Sequence, residues 1–150
     1  MRSSDSIAAV SLIVATASAA FAFYQWQRSE KENKINAAID LSIKQLVDPG
    51  WTKDRSDFIN YVAGKQTPED AIGAANYIIS LDYVAYLMNS GNIDSDYVSH
   101  HLKCSIYVNY ENIFIKKAFS NIVNLQTIAV PDMKKFYDSN QGLNCVPQSN

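Results

Sequence analysis

Four side chains that could do chemistry lie within a short stretch of the chain: Asp96, His100, His101 and Cys104. Neighbouring residues on an α-helix point about 100° apart, so the two imidazoles cannot converge on one ion as an i, i+4 pair does. One imidazole could join Asp96 or Cys104 in a partial metal site, but a zinc site needs convergent ligands and a fourth is missing. We therefore predict no metal, no cofactor and no catalytic residue here.

Cys104 beside a histidine could also act as a nucleophile. A cysteine within an apolar helix is more often a small core residue, however. The sequence contains no GxSxG elbow, P-loop, GxGxxG or HExxH motif. We therefore expect a protein that is not an enzyme.

Asp82 is the one charged residue in the long apolar run of residues 71–88. A carboxylate on a helix that is apolar all round is desolvated, so it must find a partner or take up a proton. Antiparallel packing of the following helix could bring Lys116 or Lys117 near it. We predict a polar pair between Asp82 and these lysines that fixes the register of two helices, in preference to a catalytic acid.

Residues 6–27 form an apolar run that ends at Arg28 and contains no charged side chain. As a helix the run reaches roughly 33 Å, about the thickness of the hydrocarbon layer of a bilayer. Aromatic residues crowd its last turns, where a retained helix would meet the lipid headgroups: Phe21, Phe23, Tyr24 and Trp26. We predict one transmembrane helix.

A cleaved signal peptide is the alternative for this segment, because Arg2 precedes the apolar core and the triplets 17–19 and 20–22 have the small-x-small pattern of a cleavage site. Asp5 and the aromatic belt favour the retained anchor. A second span over residues 71–88 is also conceivable, but Asp82 near its centre would cost about 3 kcal/mol on insertion. We predict that this second segment is the central helix of a bundle, buried on all sides.

Orientation follows from the positive charges beside the span. Arg28, Lys31 and Lys34 follow it, whereas Arg2 stands alone before it. The Lys and Arg count predicts that the C-terminal domain lies in the cytoplasm. In that reducing compartment Cys104 and Cys145 would be free thiols, whereas outside the cytoplasm they would form a disulfide that pins the tail to a helix.

Small residues follow one face of the predicted span: Ala8, Ser11, Ala15, Ala19 and Ala22. Faces of this kind allow close approach of helices in lipid. They predict a transmembrane association face.

Capping residues and periodic apolar positions predict an all-α fold, in which one transmembrane helix continues into a stalk and a small helical bundle follows. We predict four segments: an N-terminal tail and transmembrane helix (1–27), a helical stalk (28–50), a bundle (51–138) and a loose C-terminal tail (139–150). The net charge is −2 and the basic residues are scattered, so no nucleic-acid surface is expected.

The strings SLDYVAYLMNSGNIDSDYV and YENIFIKKAF resemble a family of short bacterial single-span membrane proteins that is classed only as a domain of unknown function. Such proteins often carry a glutamate in place of Asp82 and an arginine near Lys116 and Lys117. The resemblance implies an N-terminal transmembrane helix with a cytoplasmic helical domain and implies no reaction.

These features predict a single-span, membrane-anchored helical protein that is a non-enzymatic interaction module. Its expected partners are membrane lipid and either another protein or a second copy of the chain. One alternative is a membrane-acting effector that disturbs the bilayer. A second is an exported helical protein released by signal-peptide cleavage.

Overall fold

The computed structural model describes residues 3–64, 67–118 and 125–145, with only the backbone described for residues 3–10 and 13. Within these ranges the chain is helical and contains no strand, which confirms the all-α prediction. There are five α-helices: α1 (Ser3–Val47), α2 (Pro49–Val62), α3 (Pro68–Asn89), α4 (His100–Tyr110) and α5 (Pro131–Ser139). Short 3₁₀ turns occupy Ser95–Tyr97 and Leu125–Thr127, and a π-helical turn occupies Glu111–Ile115.

One uninterrupted helix, α1, covers both the predicted span and the predicted stalk. Every side chain described from residue 11 to residue 33 is exposed. Contact with the bundle begins at Lys34, whose carbonyl oxygen accepts a hydrogen bond from the Asp94 N–H at 3.3 Å. Ala38 and Gln45 are buried, so only the last turns of α1 pack against the other helices.

The chain turns between α1 and α2 at Asp48, as the Asp-Pro-Gly signal predicts. The Asp48 carboxylate accepts hydrogen bonds from the N–H groups of Gly50 (2.8 Å) and Trp51 (3.1 Å), and Pro49 occupies the first helical position. Aspartate at the N-cap followed by proline is a strong start signal. The sequence pattern of residues 54–63 predicts a helix that starts at Asp54, and the second helix begins several residues earlier, at Pro49.

Helix α3 is the centre of the bundle and packs against α2, α4 and α5. Thr67 and Asp70 form a capping box at its start, and Gly91 takes a φ of +69° just after its end, as predicted. Gly73 lets α2 approach closely, because a side-chain Cβ there would lie 2.5 Å from the Cβ of Asp57. The largest fully buried side chains come from three helices and the π turn: Ile78, Leu81, Val84, Leu102, Ile106, Ile113 and Met133.

The helix after the Asn92–Asp96 turn begins later than predicted. Asp94 caps only the 3₁₀ turn, and Ser99 caps α4 by accepting a hydrogen bond from the Leu102 N–H at 3.2 Å. Beyond Tyr110 the helix widens into the π turn, where the asparagines suggested a bend. Two predicted core residues, Phe119 and Ile122, lie outside the described residues.

Cys104 and Cys145 form a disulfide, with their Cα atoms 5.4 Å apart. The prediction of two free thiols is therefore wrong. The bond ties the segment after α5 to α4, so the predicted loose tail is held at least as far as Cys145. The pairing is the one expected for a domain outside the cytoplasm.

Candidate interaction surface

Helix α3 carries a row of exposed apolar side chains along the side that faces away from the bundle. Ile72, Ile79, Tyr83 and Tyr86 are 64%, 52%, 59% and 44% exposed. With the exposed Asn76 they follow each other at intervals of four, three, four and three residues. We call these five residues the α3 surface.

The α3 surface contradicts the prediction that this helix is buried on every side. Helices α2, α4 and α5 cover the face that carries Tyr77, Ile78 and Leu81, and no described segment covers the other. The tyrosines divide in the same way, since Tyr77 and Tyr110 are buried whereas Tyr83 and Tyr86 are exposed. The latter two rings stack, with centroids 6.2 Å apart.

Asn76 is the polar residue of the α3 surface and lies near the half-buried Asp54 of α2. Burial raises the pKa of the Asp54 carboxyl, and the neighbouring Asn76 amide acts in the opposite direction. The α3 surface therefore contains one polar group among its apolar side chains.

Asp82 caps a neighbouring helix. Its carboxylate accepts hydrogen bonds from the N–H groups of Asp132 (3.0 Å) and Met133 (2.8 Å) in the first turn of α5. The N-cap residue of that helix, Val130, offers no side-chain acceptor. Burial raises the pKa of the Asp82 carboxyl, although the two backbone hydrogen bonds act to lower it. Asp82 therefore satisfies two amide groups that helix geometry leaves without a partner.

The two lysines predicted to pair with Asp82 lie elsewhere. Lys116 forms an ion pair with Glu111 at 3.2 Å, and Lys117 is exposed with a φ of +47°. No ion pair of Asp82 occurs among the described residues. Asp82 joins two helices through the backbone of α5, because this helix and not the end of α4 packs beside it.

The histidine and cysteine cluster surrounds the disulfide. The Nε2 atom of His100 lies 3.1 Å from the carbonyl oxygen of Asn144 and 3.3 Å from Sγ of Cys104. His101 is exposed on another side of α4. Among the described residues no group of three or more His, Cys, Asp or Glu side chains could hold a metal ion. The oxidised sulfur of Cys104 is not a nucleophile, so this cluster fastens the chain near its C-terminus.

The predicted transmembrane association face lies along one helix. Ser11, Ala15, Ala19 and Ala22 are exposed on α1, and Ala8 belongs to the same helix in a region where only the backbone is described. Pro68–Asn89 is the one helix among the described side chains that is long and apolar enough to cross a membrane, and 44% of its apolar window is buried. The core helix of a bundle can be equally long and apolar, so this property does not place α3 in a membrane. The side chains of residues 3–10 and 13 lie outside those described, and the span over residues 6–27 stays a prediction.

An open apolar groove of about 340 Å³ lies between the π turn and α5, next to Tyr110 and Val130. An enzyme site needs several convergent polar groups. The charged side chain among the described residues that line the groove is Lys134, which pairs with Asp138 at 2.6 Å. The groove therefore offers packing space and no reactive constellation.

Comparison with known proteins yields no match to a protein-family model, a curated protein or a solved structure. The resemblance to short bacterial membrane proteins thus stays a prediction.

Proposed function

We propose that this protein is a single-span, membrane-anchored interaction module whose α3 surface binds a helix of a partner protein outside the cytoplasm. It acts without catalysis. The observation that carries the proposal is the row of large apolar side chains that α3 leaves exposed on a well-packed bundle.

Support for the anchor comes from α1. Every described side chain in its apolar part is exposed, and Leu12, Phe21 and Trp26 are more than half exposed. A helix with apolar residues on all sides requires lipid or another protein around it. The aromatic residues at the end of the run suit a membrane interface.

The disulfide supports an oxidising compartment for the bundle, because such bonds are rare where thiols are kept reduced. The Lys and Arg count favours the opposite orientation. That rule describes short loops, however, and a long domain translocates largely regardless of charge. We therefore give more weight to the covalent bond and place the bundle on the far side of the membrane.

The geometry of the α3 surface favours a helical partner. Its intervals of four and three residues draw a straight apolar stripe, which is the pattern that packs against another helix at a shallow angle. Aromatic side chains such as Tyr83 and Tyr86 are enriched at the centres of protein interfaces. The exposed amide of Asn76 adds one polar contact that can select the register.

Charge placed on the surface tests the proposal. We expect Ile79→Glu and Tyr83→Glu to abolish a defined adduct formed by chemical cross-linking in intact cells, because a carboxylate cannot be desolvated against an apolar partner. Ile115→Glu is the matched control, since Ile115 is 53% exposed on the π turn. All three variants should melt like the wild type. An adduct that survives both surface substitutions would refute the proposed site.

The compartment is tested separately. Ser56 is exposed on α2, so we expect the cysteine of Ser56→Cys to react with a membrane-impermeant maleimide in intact cells. Cys104 and Cys145 should react only after reduction. Labelling of position 56 solely after lysis would show that the bundle lies in the cytoplasm.

The mass of the mature chain distinguishes anchoring from export after cleavage, because a retained anchor leaves the chain at 16.7 kDa. The effector alternative requires α3 to leave the bundle and expose Ile78 and Leu81 to lipid. Photolabelling from the lipid phase should then mark residues 77–88, and the proposal expects no label there.

A further inference from the structure

The stalk part of α1 has a second apolar stripe that the bundle does not use. Ile39, Ile43 and Leu46 are 41%, 52% and 68% exposed. Residues on another side of the same turns, Ala38 and Gln45, are buried against the bundle. The stalk therefore has one occupied side and one bare apolar side.

The residues on the bare side are spaced like the seam of a coiled coil. Asn36, Ile39, Ile43 and Leu46 follow each other at intervals of three, four and three residues, which is the a and d pattern of a heptad repeat. We call these four residues the stalk stripe. Continued backwards along α1, the same register passes through three polar residues and then through small residues: Glu32, Ser29 and Gln25, followed by Ala22, Ser18, Ala15, Ser11 and Ala8. It thus contains four of the five residues of the predicted transmembrane association face, with Ser18 next to the fifth, Ala19.

We propose that a second copy of this chain covers the stalk stripe, so that two α1 helices form a parallel, in-register coiled coil from the membrane into the stalk. This inference rests on the membrane anchoring of the proposed function. Two copies anchored through the same helix stand side by side in the same direction, which is the arrangement that a parallel pair requires. Small residues then allow close approach in lipid, and larger aliphatic residues fill the seam outside it.

The residue types select two strands. Asn36 and Ile43 occupy a positions, and Ile39 and Leu46 occupy d positions. Ile43 at a with Leu46 at d favours dimers, whereas isoleucine at d, as at Ile39, favours higher oligomers. The single asparagine at a specifies both the register and the oligomer state, and so decides for the dimer. The stalk stripe alone is too short for a stable coiled coil in water, since helices of this length are marginal by themselves. Anchoring raises the effective concentration of the second copy and removes that limit.

Charges avoid the stalk stripe. Asp40 and Lys44 lie outside it and pair with each other within one helix at 3.1 Å. Glu32 occupies the next d position towards the membrane, and its side chain is more than half exposed and paired with Arg28 at 2.8 Å. The polar part of the seam, Glu32, Ser29 and Gln25, therefore lies where the helix leaves the lipid headgroups. It separates the part of the seam in the membrane from the stalk stripe.

Cysteine cross-linking in membranes that contain the full chain tests this pairing. We expect Ile39→Cys, Ile43→Cys and Leu46→Cys to give a disulfide-linked dimer on mild oxidation. Same-residue bonds at these positions require a parallel, in-register pair. Ala37→Cys and Lys44→Cys are the matched controls, because both positions are exposed on the same turns but lie off the seam. They should give several-fold less dimer.

Equal dimer yield at the seam and control positions, or no dimer at positions 39, 43 and 46, would overturn the inference. Asn36→Leu gives a second readout, since loss of the a-position amide should turn a single dimer band into a mixture of oligomers. The α3 surface is independent of this seam, so Ile79→Glu should leave the α1 cross-links unchanged. A mature chain found to lack residues 1–22 would refute the membrane anchor of the proposed function. An anchored chain that gives no cross-links would refute only the coiled coil.

Discussion

The two faces of α3 are built from the same kinds of residue and have opposite surroundings. Ile78 and Tyr77 lie in the core, whereas Ile79 and Tyr83 are more than half exposed. Adjacent isoleucines thus differ only in what covers them. An apolar sequence therefore shows that a helix must be covered on its apolar faces. The packing of the other helices decides which of these faces the same chain covers.

Replacing each isoleucine with alanine should produce the largest contrast. Ile78→Ala leaves a cavity in the core and should cost about 2 to 5 kcal/mol of unfolding free energy. Ile79→Ala should change it by less than about 0.5 kcal/mol. Chemical denaturation of both variants measures the difference, and equal costs would mean that the second face is also packed.

Gly73→Ala probes the junction between the buried face and α2. Alanine normally stabilises a helix by about 1 kcal/mol relative to glycine. Here the added methyl group would collide with the backbone-proximal Cβ of Asp57, so we expect a net loss of about 1 to 3 kcal/mol. Gly50→Ala is less informative because it lies in a capped first turn. A higher melting temperature for Gly73→Ala would show that the helices can separate at little cost.

Asp82 lies at the edge between the two faces, and its role as a cap can be separated from a role as a charge. Asp82→Ala should cost about 1 kcal/mol, because two amide groups of α5 lose their acceptor, and Asp82→Asn should cost less because asparagine also caps helices. Equal losses in the two variants would contradict the capping role.

The titration of Asp82 gives a pH dependence. Burial raises the pKa of its carboxyl above 3.8, so the folded protein holds this proton more tightly than the unfolded chain. This contribution to stability is complete below pH 3.8 and is lost as the pH rises through the native pKa. The stability of the wild type relative to Asp82→Asn should therefore fall from acidic to neutral pH, as denaturation at several pH values can measure.

Gln45 is the opposite case to Asp82, because it is a buried polar group without a hydrogen bond. It is 4% exposed, and among the described residues neither its Oε1 nor its Nε2 atom has a hydrogen-bond partner. Gln45→Met keeps the shape and removes both polar atoms, so we expect a gain of about 1 kcal/mol. A loss of stability would indicate that the amide is satisfied by water in solution.

The sequence predicts much of this fold because local signals and packing agree. The cap at Thr67, the stop at Gly91 and the start at Pro131 lie at helix ends in the structure, whereas the starts of α2 and α4 lie several residues from their predicted positions. The pairing of Asp82 could not be derived in this way, because its partners are backbone amides more than forty residues away. The sequence predicts free thiols at Cys104 and Cys145 in the cytoplasm and a disulfide outside it. The Lys and Arg count favours the cytoplasm and hence free thiols, whereas the structure contains the disulfide.

The sequence allows an aromatic surface for a partner helix at the tyrosines of α3 but does not separate it from the core, for a physical reason. A helix that is apolar all round gives no periodic signal, so the sequence alone cannot tell which face its neighbours will cover. The intervals that connect Ile72 to Tyr86 were present in the sequence, but equally regular intervals connect buried residues such as Ile78 and Leu81. Only the positions of α2, α4 and α5 separate the two sets.

The most direct test places a photoreactive amino acid at Tyr83 or Tyr86 in living cells and compares it with the same residue at Tyr97, which is 49% exposed on the 3₁₀ turn. Irradiation should give one defined protein adduct from positions 83 and 86 and none from position 97. Adducts of equal yield from all three positions, or none from the two on α3, would contradict the claim that the exposed face of this helix is a binding surface.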